Sequence, residues 1–160
     1  MSEQGTWANS SGNTLEKTVI ATLHSKGFEV LSYKEWQKNP ERYGGELLLR
    51  NVPFVSIYGH QGKTEFLILS KRLNLEIRIE CKWQQSAGSV DEKFPYLYLN
   101  CIEAMPQQKI FIIVDGQGAK PKAIEWLRKS CEEKRYNGGA KIIQVMNLSQ
   151  FLVWANTTLR

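Results

Sequence analysis

Apolar residues recur along the chain with two different periods, and the changes of period divide it into predicted helices and strands. In residues 14–26 the apolar residues Leu15, Val19, Ile20 and Leu23 fall on one stripe of a helix. Gly27 follows, a favourable residue just beyond a helix C-terminus. Residues 1–12 are rich in Ser, Gly, Asn and Gln. The pattern therefore predicts a flexible N-terminal arm, residues 1–12, before a single domain of residues 13–160.

Three strand-like segments follow: GGELLLRNVPFVSIYG, which Pro53 should interrupt, then TEFLILS and LEIRIECKW. Turns predicted at residues 60–63 and 71–74 separate them, and such short connections favour an antiparallel meander. In the third segment the side chains alternate between two faces. One face carries Ile77, Ile79, Cys81 and Trp83, and the other carries Glu76, Arg78, Glu80, Lys82 and Gln84.

The second half of the chain alternates helix and strand. Ser89 and Glu92 have the spacing of a capping box, so a helix should begin there, with Pro95 disturbing its first turns. The run KIFIIVDG suits a strand buried on both faces, and Pro121 is suited to the first position of the next helix. A strand, AKIIQVMN, and a closing helix, LSQFLVWANTTL, complete the chain. This order predicts an α/β fold with a central mixed β-sheet flanked by helices.

Composition narrows the functional classes only in part. At 160 residues and 42% hydrophobic content the chain can form the core of one domain. No apolar run is long enough to span a bilayer and the N-terminus lacks a signal-peptide pattern, so a cytoplasmic protein without membrane contact is expected. The three cysteines have no CxxC spacing, which favours reduced thiols. A net charge of +5 is compatible with a nucleic-acid partner but does not require one.

The candidate chemistry lies in the predicted meander. Glu80 and Lys82 are two residues apart on a strand, so their side chains project from the same face. Glu65 stands just before an apolar run and shares a strand face with Leu67, where an unpaired buried carboxylate would be costly. If the hairpin places Glu65 beside Glu80, the two carboxylates could hold a hard divalent cation such as Mg²⁺. The sequence leaves open whether they lie opposite or diagonal to each other.

Each of these residues also has an ordinary structural interpretation. The row of polar residues on the third strand is typical of a solvated sheet face with cross-strand ion pairs. The same acidic-x-Lys spacing recurs at Asp91/Lys93 and Glu132/Lys134, in predicted helices. Glu16 would be the third residue of a capping box with Asn13 as N-cap, although it could also face inward. Gln84 could bond a phosphate or simply be exposed.

The helix with its acidic residue, the hairpin with TEF and IECKWQ, the capped helix and the strand IFIIVDG together resemble the PD-(D/E)XK nuclease superfamily. The resemblance implies the restriction-endonuclease-like fold. It also implies that Glu65 is the acidic residue of the second strand and Glu80-Cys81-Lys82 the (D/E)-x-K tripeptide. Glu16 would be the acidic residue of the first helix, and Gln84 the polar residue after the lysine. Thr64-Glu65 stands where the family pattern has Pro-Asp.

This resemblance implies a Mg²⁺-dependent DNA endonuclease, with Mn²⁺ as a substitute metal. Glu65, Glu80 and the backbone carbonyl of Cys81 would bind the metal. Lys82 would orient or help to deprotonate the attacking water and counter the phosphate charge, and Glu16 and Gln84 would complete the catalytic set. Since two strands must be cut, a homodimer is expected. Glu65 in place of Asp keeps a second hypothesis open, in which the protein binds nucleic acid or serves as a scaffold without cleaving.

Overall fold

The computed structural model describes residues 3–83, 90–116 and 120–160, and these residues contain five helices and six strands. The helices are α1 (Glu3–Ser25), α2 (Tyr33–Lys38), α3 (Val90–Glu103), α4 (Pro121–Glu132) and α5 (Leu148–Thr158). The strands are β1 (Glu29–Ser32), β2 (Glu46–Val55), β3 (Gln61–Ser70), β4 (Leu75–Trp83), β5 (Lys109–Asp115) and β6 (Ile142–Met146). A 3-10 turn, Pro40–Arg42, lies between α2 and β2.

The six strands form one mixed sheet in the order β1-β2-β3-β4-β5-β6. Strands β2, β3 and β4 pair antiparallel, so the predicted meander is confirmed. The pairs β1–β2, β4–β5 and β5–β6 are parallel, and their connections pass through helices, as parallel pairing requires. The prediction of an α/β fold with a central mixed sheet is therefore confirmed.

Both faces of the sheet are covered. Helices α1 and α5 cover one face, over a core that includes Leu15, Val19, Ile77, Ile79 and Phe111. On the other face α3 and α4 cover the β4–β6 half, and α2 covers the β1–β3 half. These two halves form separate apolar clusters. Leu67 belongs to one and Ile110 to the other, and Arg78 of β4 pairs with both of them and so lies at the boundary.

Helix α1 begins at Glu3, so the predicted start at residue 14 is wrong. Asn13 lies inside this helix and is not its N-cap, which removes the capping-box interpretation of Glu16. The residues before Asn13 have no apolar stripe, so the sequence shows no helical period there. They can nevertheless extend a helix that is already nucleated, because each added residue forms one further hydrogen bond. The predicted end at residue 26 is one residue beyond the observed end at Ser25, and the glycine just beyond the helix is confirmed: Gly27 has φ +88°, and Phe28 N donates to Leu23 O at 3.1 Å.

Other departures are local. The pattern missed β1 and α2, which are only 4 and 6 residues long; Ser32 caps α2 by accepting from Glu35 N at 3.1 Å. Neither Pro53 nor Pro95 interrupts its element, since β2 and α3 are continuous through them. The turn between β2 and β3 covers residues 56–60 rather than 60–63. Ser89 lies outside the described residues, so its capping box stays a prediction.

Candidate active site

Strands β3 and β4 separate part-way along their length. Their pairing runs from Ser70 and Leu75 to Phe66 and Ile79 and then ends. Beyond that point β3 stays paired with β2 as far as Gln61, whereas β4 stays paired with β5 as far as Trp83. We call the opening between residues 61–65 of β3 and 80–83 of β4 the fork. It leaves the facing edges of both strands free of ladder pairing with each other.

Glu65 lies at the base of the fork. The last β3–β4 pair is Phe66 with Ile79, so Glu65 and Glu80 are the next residue on each strand, and this register favours the opposite alternative over the diagonal one. Its Oε2 accepts a hydrogen bond from Cys81 N at 2.7 Å, in place of a ladder bond. The N–H and C=O of one strand residue point to the same side, so the carbonyl of Cys81 is directed into the fork as well. Two carboxylates and a backbone carbonyl therefore converge there.

Glu80 and Lys82 form an ion pair on the wall of the fork. Glu80 Oε1 lies 2.8 Å from Lys82 Nζ. Glu80 is only 5% exposed, and Arg78 on the same face only 2%. The solvated-face interpretation of this row is therefore wrong for Arg78 and Glu80. The Lys82 side chain is 30% exposed, so its ammonium connects the buried carboxylate to solvent.

The electrostatics of the fork favour protons or cations on its carboxylates. Burial and the charge of Glu80 raise the pKa of Glu65 to about 7, although Cys81 N–H and Lys82 oppose the shift. Burial also raises the pKa of Glu80, against the opposing charges of Lys82 and Arg78. Burial lowers the pKa of Lys82, but Glu80 and Glu65 outweigh it and the net shift is upward. Lys82 is therefore a protonated ammonium at neutral pH.

Glu16 and Gln84 are the two remaining predicted site residues. Glu16 is half-buried on α1, and its charge adds to the rise in the pKa of Glu80, so it is within electrostatic range of the fork. Gln84 lies outside the described residues and its role stays a prediction.

Arg78 is a contributor to the site that sequence reasoning missed. Its Nη1 donates to Val52 O at 3.2 Å and to Thr64 Oγ1 at 3.1 Å, and its Nη2 donates to Pro53 O at 3.0 Å. Its Nε donates to Gln107 Oε1 at 2.5 Å. The guanidinium thus ties the paired ends of β2 and β3 to β4, from which they diverge. The sequence did contain a signal for this role, because Arg78 is a cation in the middle of a predicted strand, between Ile77 and Ile79.

The donor set at the fork fits a hard divalent cation. Within the described ranges no group of three or more His, Cys, Asp or Glu side chains is arranged to hold a metal. The two carboxylates and the carbonyl of Cys81 nevertheless supply only oxygen. Mg²⁺ is commonly held by one or two carboxylates, with water and substrate phosphate completing its coordination. Raised carboxylate pKa values indicate the same need for positive charge.

Comparison with known families assigns the chain. The family model of a PD-(D/E)XK nuclease superfamily domain matches residues 7–159. The chain belongs to this superfamily. Its mixed six-stranded sheet with flanking helices is accordingly a restriction-endonuclease-like fold. Neither a curated protein nor a solved structure matches the chain. Among the described helices of this PD-(D/E)XK domain, none combines the length and apolar character that crossing a bilayer demands.

The departure of this PD-(D/E)XK domain from the Pro-Asp pattern has a structural counterpart. Thr64, in the place of proline, is 1% exposed, and its hydroxyl accepts the hydrogen bond from Arg78 Nη1. Proline has no hydroxyl and could not accept this bond. The residue before Glu65 is thus held by the same guanidinium that fastens β2, and this contact helps to fix the position of Glu65.

Proposed function

We propose that this PD-(D/E)XK protein is a divalent-metal-dependent DNA endonuclease whose active site is the fork. Members of the superfamily are generally nucleases. The observation that carries the proposal is that Glu65 and Glu80 lie directly beyond the last β3–β4 pair, at the base of the fork, with Lys82 Nζ 2.8 Å from Glu80. One buried carboxylate, Glu80, and one half-buried carboxylate, Glu65, both with raised pKa values, lie beside a protonated lysine and suit a cation and an anionic phosphate.

In this proposal Glu65, Glu80 and the carbonyl of Cys81 hold Mg²⁺, or Mn²⁺ in its place. The bound cation would stabilise negative charge on the scissile phosphate and lower the pKa of water. Burial of Glu80 excludes water from one side of the site, which strengthens electrostatic interactions within it. The hydrogen bond from Cys81 N fixes the position of Oε2 of Glu65.

Lys82 serves as a cation and a hydrogen-bond donor. Its raised pKa argues against a general-base role, because a base must be deprotonated at the working pH. Its ammonium is anchored on Glu80 and partly exposed, so it can contact a phosphate oxygen or orient the attacking water. Glu16 would act through the electrostatics of Glu80, and Gln84, the polar residue after the lysine, would bond a phosphate.

DNA is the proposed substrate, and a homodimer would allow both strands to be cut. The net charge of +5 and the lack of Asp or Glu from residue 51 to 64 support approach of a polyanion to this side of the sheet. Size-exclusion chromatography with light scattering would test the dimer. A cytoplasmic location stays a prediction of the sequence.

The decisive experiment is nicking of supercoiled plasmid with Mg²⁺ or Mn²⁺, compared with EDTA. We expect wild-type protein to cleave, and the variants Glu80→Gln and Lys82→Met to be inactive while remaining folded. The chain offers a matched control, because Glu132 and Lys134 repeat the acidic-x-Lys spacing at the end of α4. Glu132→Gln and Lys134→Met should cleave like wild type.

Two results of the nicking experiment would contradict the proposal. If wild-type protein binds DNA but leaves supercoiled, linear and branched DNA intact with either metal, the endonuclease proposal is wrong. The protein would then be a non-catalytic DNA-binding or scaffold protein with a nuclease fold. If the Glu132 and Lys134 variants lost activity as fully as the fork variants, the site assignment would be wrong instead.

A further inference from the structure

The turn between β2 and β3 is a rigid structure built around one buried serine. Ser56 is 8% exposed, and its backbone N donates to His60 O at 2.8 Å. Its Oγ accepts hydrogen bonds from Tyr58 N at 3.3 Å and His60 N at 3.2 Å. Gly59 N donates to Ser56 O at 2.8 Å, and Gly59 takes φ +78° to close the turn. The turn conformation is therefore fixed before any ligand arrives.

A second polar contact attaches this turn to helix α3. The backbone N of Ile57 donates to Asn100 Oδ1 at 2.9 Å, and Asn100 is only 3% exposed. Phe54, just before the turn, packs against the apolar cluster beneath α3 and α4. A buried amide and an apolar anchor thus hold the hairpin end against the helix. A turn held only by contacts within its own loop would have neither the buried amide nor the apolar anchor.

Three aromatic rings are gathered on the outside of this junction. The ring of Tyr58 stacks on that of Tyr96 from α3, with centroids 5.0 Å apart and planes at 24°. The His60 ring meets Tyr58 edge-on, with centroids 6.2 Å apart and planes at 65°. Tyr58 is nevertheless 69% exposed, although burial of an aromatic ring is favourable. We call these three side chains the aromatic platform.

The platform lies at the end of the molecule toward which the fork opens. Strand β3 starts at Gln61, directly after the turn, and reaches Glu65 after a rise of about 14 Å. The segment from residue 51 to 64 contains no Asp or Glu, and Lys63, between the platform and Glu65, is exposed. Lys93 is exposed on α3 three residues before Tyr96. A nucleic-acid strand leaving the fork along β3 would reach the platform without passing an acidic residue of this segment.

We propose that the aromatic platform binds an unpaired nucleobase of the DNA by stacking on Tyr58. The exposed ring offers a π-face, and stacking on such a face is the sequence-tolerant way in which proteins hold single-stranded bases. A base inside a duplex has both faces covered by its neighbours, so the platform selects frayed, branched or single-stranded DNA near the cut. The proposal deepens the endonuclease function and rests on DNA being the substrate.

Size favours a nucleobase over a protein partner. A stable protein interface buries well over about 1,000 Å² in total, with many side chains on each partner. The platform consists of three side chains, two on a narrow turn and one on α3, which matches one or two bases. Its rigidity favours this ligand too, because a fixed ring loses little entropy when a base stacks on it.

Anisotropy measurements in EDTA separate binding from cleavage. The probes are a short labelled single strand and a blunt duplex of the same sequence. We expect Tyr58→Ala to weaken binding of the single strand by about tenfold, the order expected for loss of one stacked base, without changing duplex binding. Tyr58→Phe keeps the ring and should bind like wild type. Tyr136→Ala is the matched control, since Tyr136 is 73% exposed in the connection between α4 and β6.

A direct readout of stacking is the fluorescence of 2-aminopurine placed in the single strand. Wild type and Tyr58→Phe should quench it, and Tyr58→Ala should not. Equal affinity of Tyr58→Ala and wild type for the single strand would overturn the proposal. So would an equal loss for single strand and duplex, or conversion of a dimer to monomers by Tyr58→Ala. If the protein does not cleave plasmid but quenching still depends on Tyr58, the endonuclease function is refuted and the base-binding role of the aromatic platform is supported.

Discussion

Replacing Glu65 with glutamine should make the metal-free protein more stable at neutral and higher pH. The pKa of Glu65 in the folded protein is about 7, against an ordinary value of 4.5. Because folding favours the protonated form, its stabilising contribution is complete below pH 4.5 and is lost as the pH rises through about 7. One pKa unit corresponds to about 1.4 kcal/mol, so the full loss approaches about 3 kcal/mol.

Glutamine mimics the protonated carboxyl and retains an oxygen that can accept the hydrogen bond from Cys81 N. The unfolding free energy of Glu65→Gln should therefore match wild type near pH 4.5 and exceed it by up to about 3 kcal/mol near pH 8. Urea unfolding followed by tryptophan fluorescence at a series of pH values measures this difference. Glu29→Gln, at an exposed position opening β1, removes the same formal charge and serves as control.

Adding Mg²⁺ should reverse the ranking. At a pH above 7 the cation should stabilise wild-type protein by mass action and stabilise Glu65→Gln much less, because one carboxylate ligand is gone. A free-energy difference between the two proteins that stays constant from pH 4.5 to 8 would refute the electrostatic reasoning. Equal stabilisation of both by Mg²⁺ would refute the assignment of Glu65 as a ligand.

Three further changes test the polar contacts around the fork. Lys82→Met should slow plasmid cleavage by at least about 100-fold, as loss of a charge-stabilising donor does; an unchanged initial rate would exclude a role for the ammonium. Arg78→Met should lower the unfolding free energy by about 3 kcal/mol or more, since buried acceptors on β2 and β3 lose a charged donor, and a loss in urea unfolding below about 1 kcal/mol would contradict this. Asn100→Ala should cost about 1–3 kcal/mol by leaving Ile57 N unsatisfied, and should speed hydrogen exchange at that amide; unchanged exchange would show that the turn is held otherwise.

The alternation on β4 was readable because strand geometry is local. Two-residue periodicity was enough to place Glu80 and Lys82 on one face and Ile79 on the other. Burial of that polar face could not be read in the same way. For Arg78 it depends on partners distant in sequence, because its guanidinium donates to Val52 O and Gln107 Oε1, which lie 26 and 29 positions away.

Other features could not be predicted from the sequence for related reasons. The facing position of Glu65 and Glu80 depends on the register of the hairpin, which alternation alone leaves undetermined. The stacking of Tyr58 on Tyr96 is equally non-local. Strand β1 is too short to show a period, and its existence depends on pairing with β2.

The turn of residues 71–74 between β3 and β4 acquires a constraint from the fork that its own structure does not impose. It sets the register that brings Glu65 opposite Glu80. Because side chains alternate along a strand, inserting or deleting one residue in this turn, with the sheet otherwise re-formed, would move Glu80 to the opposite face. Substitutions there leave that spacing intact. The active site therefore constrains the length of the turn, whereas the positive φ of Asn74 and the packing of Leu73 against the core constrain its composition.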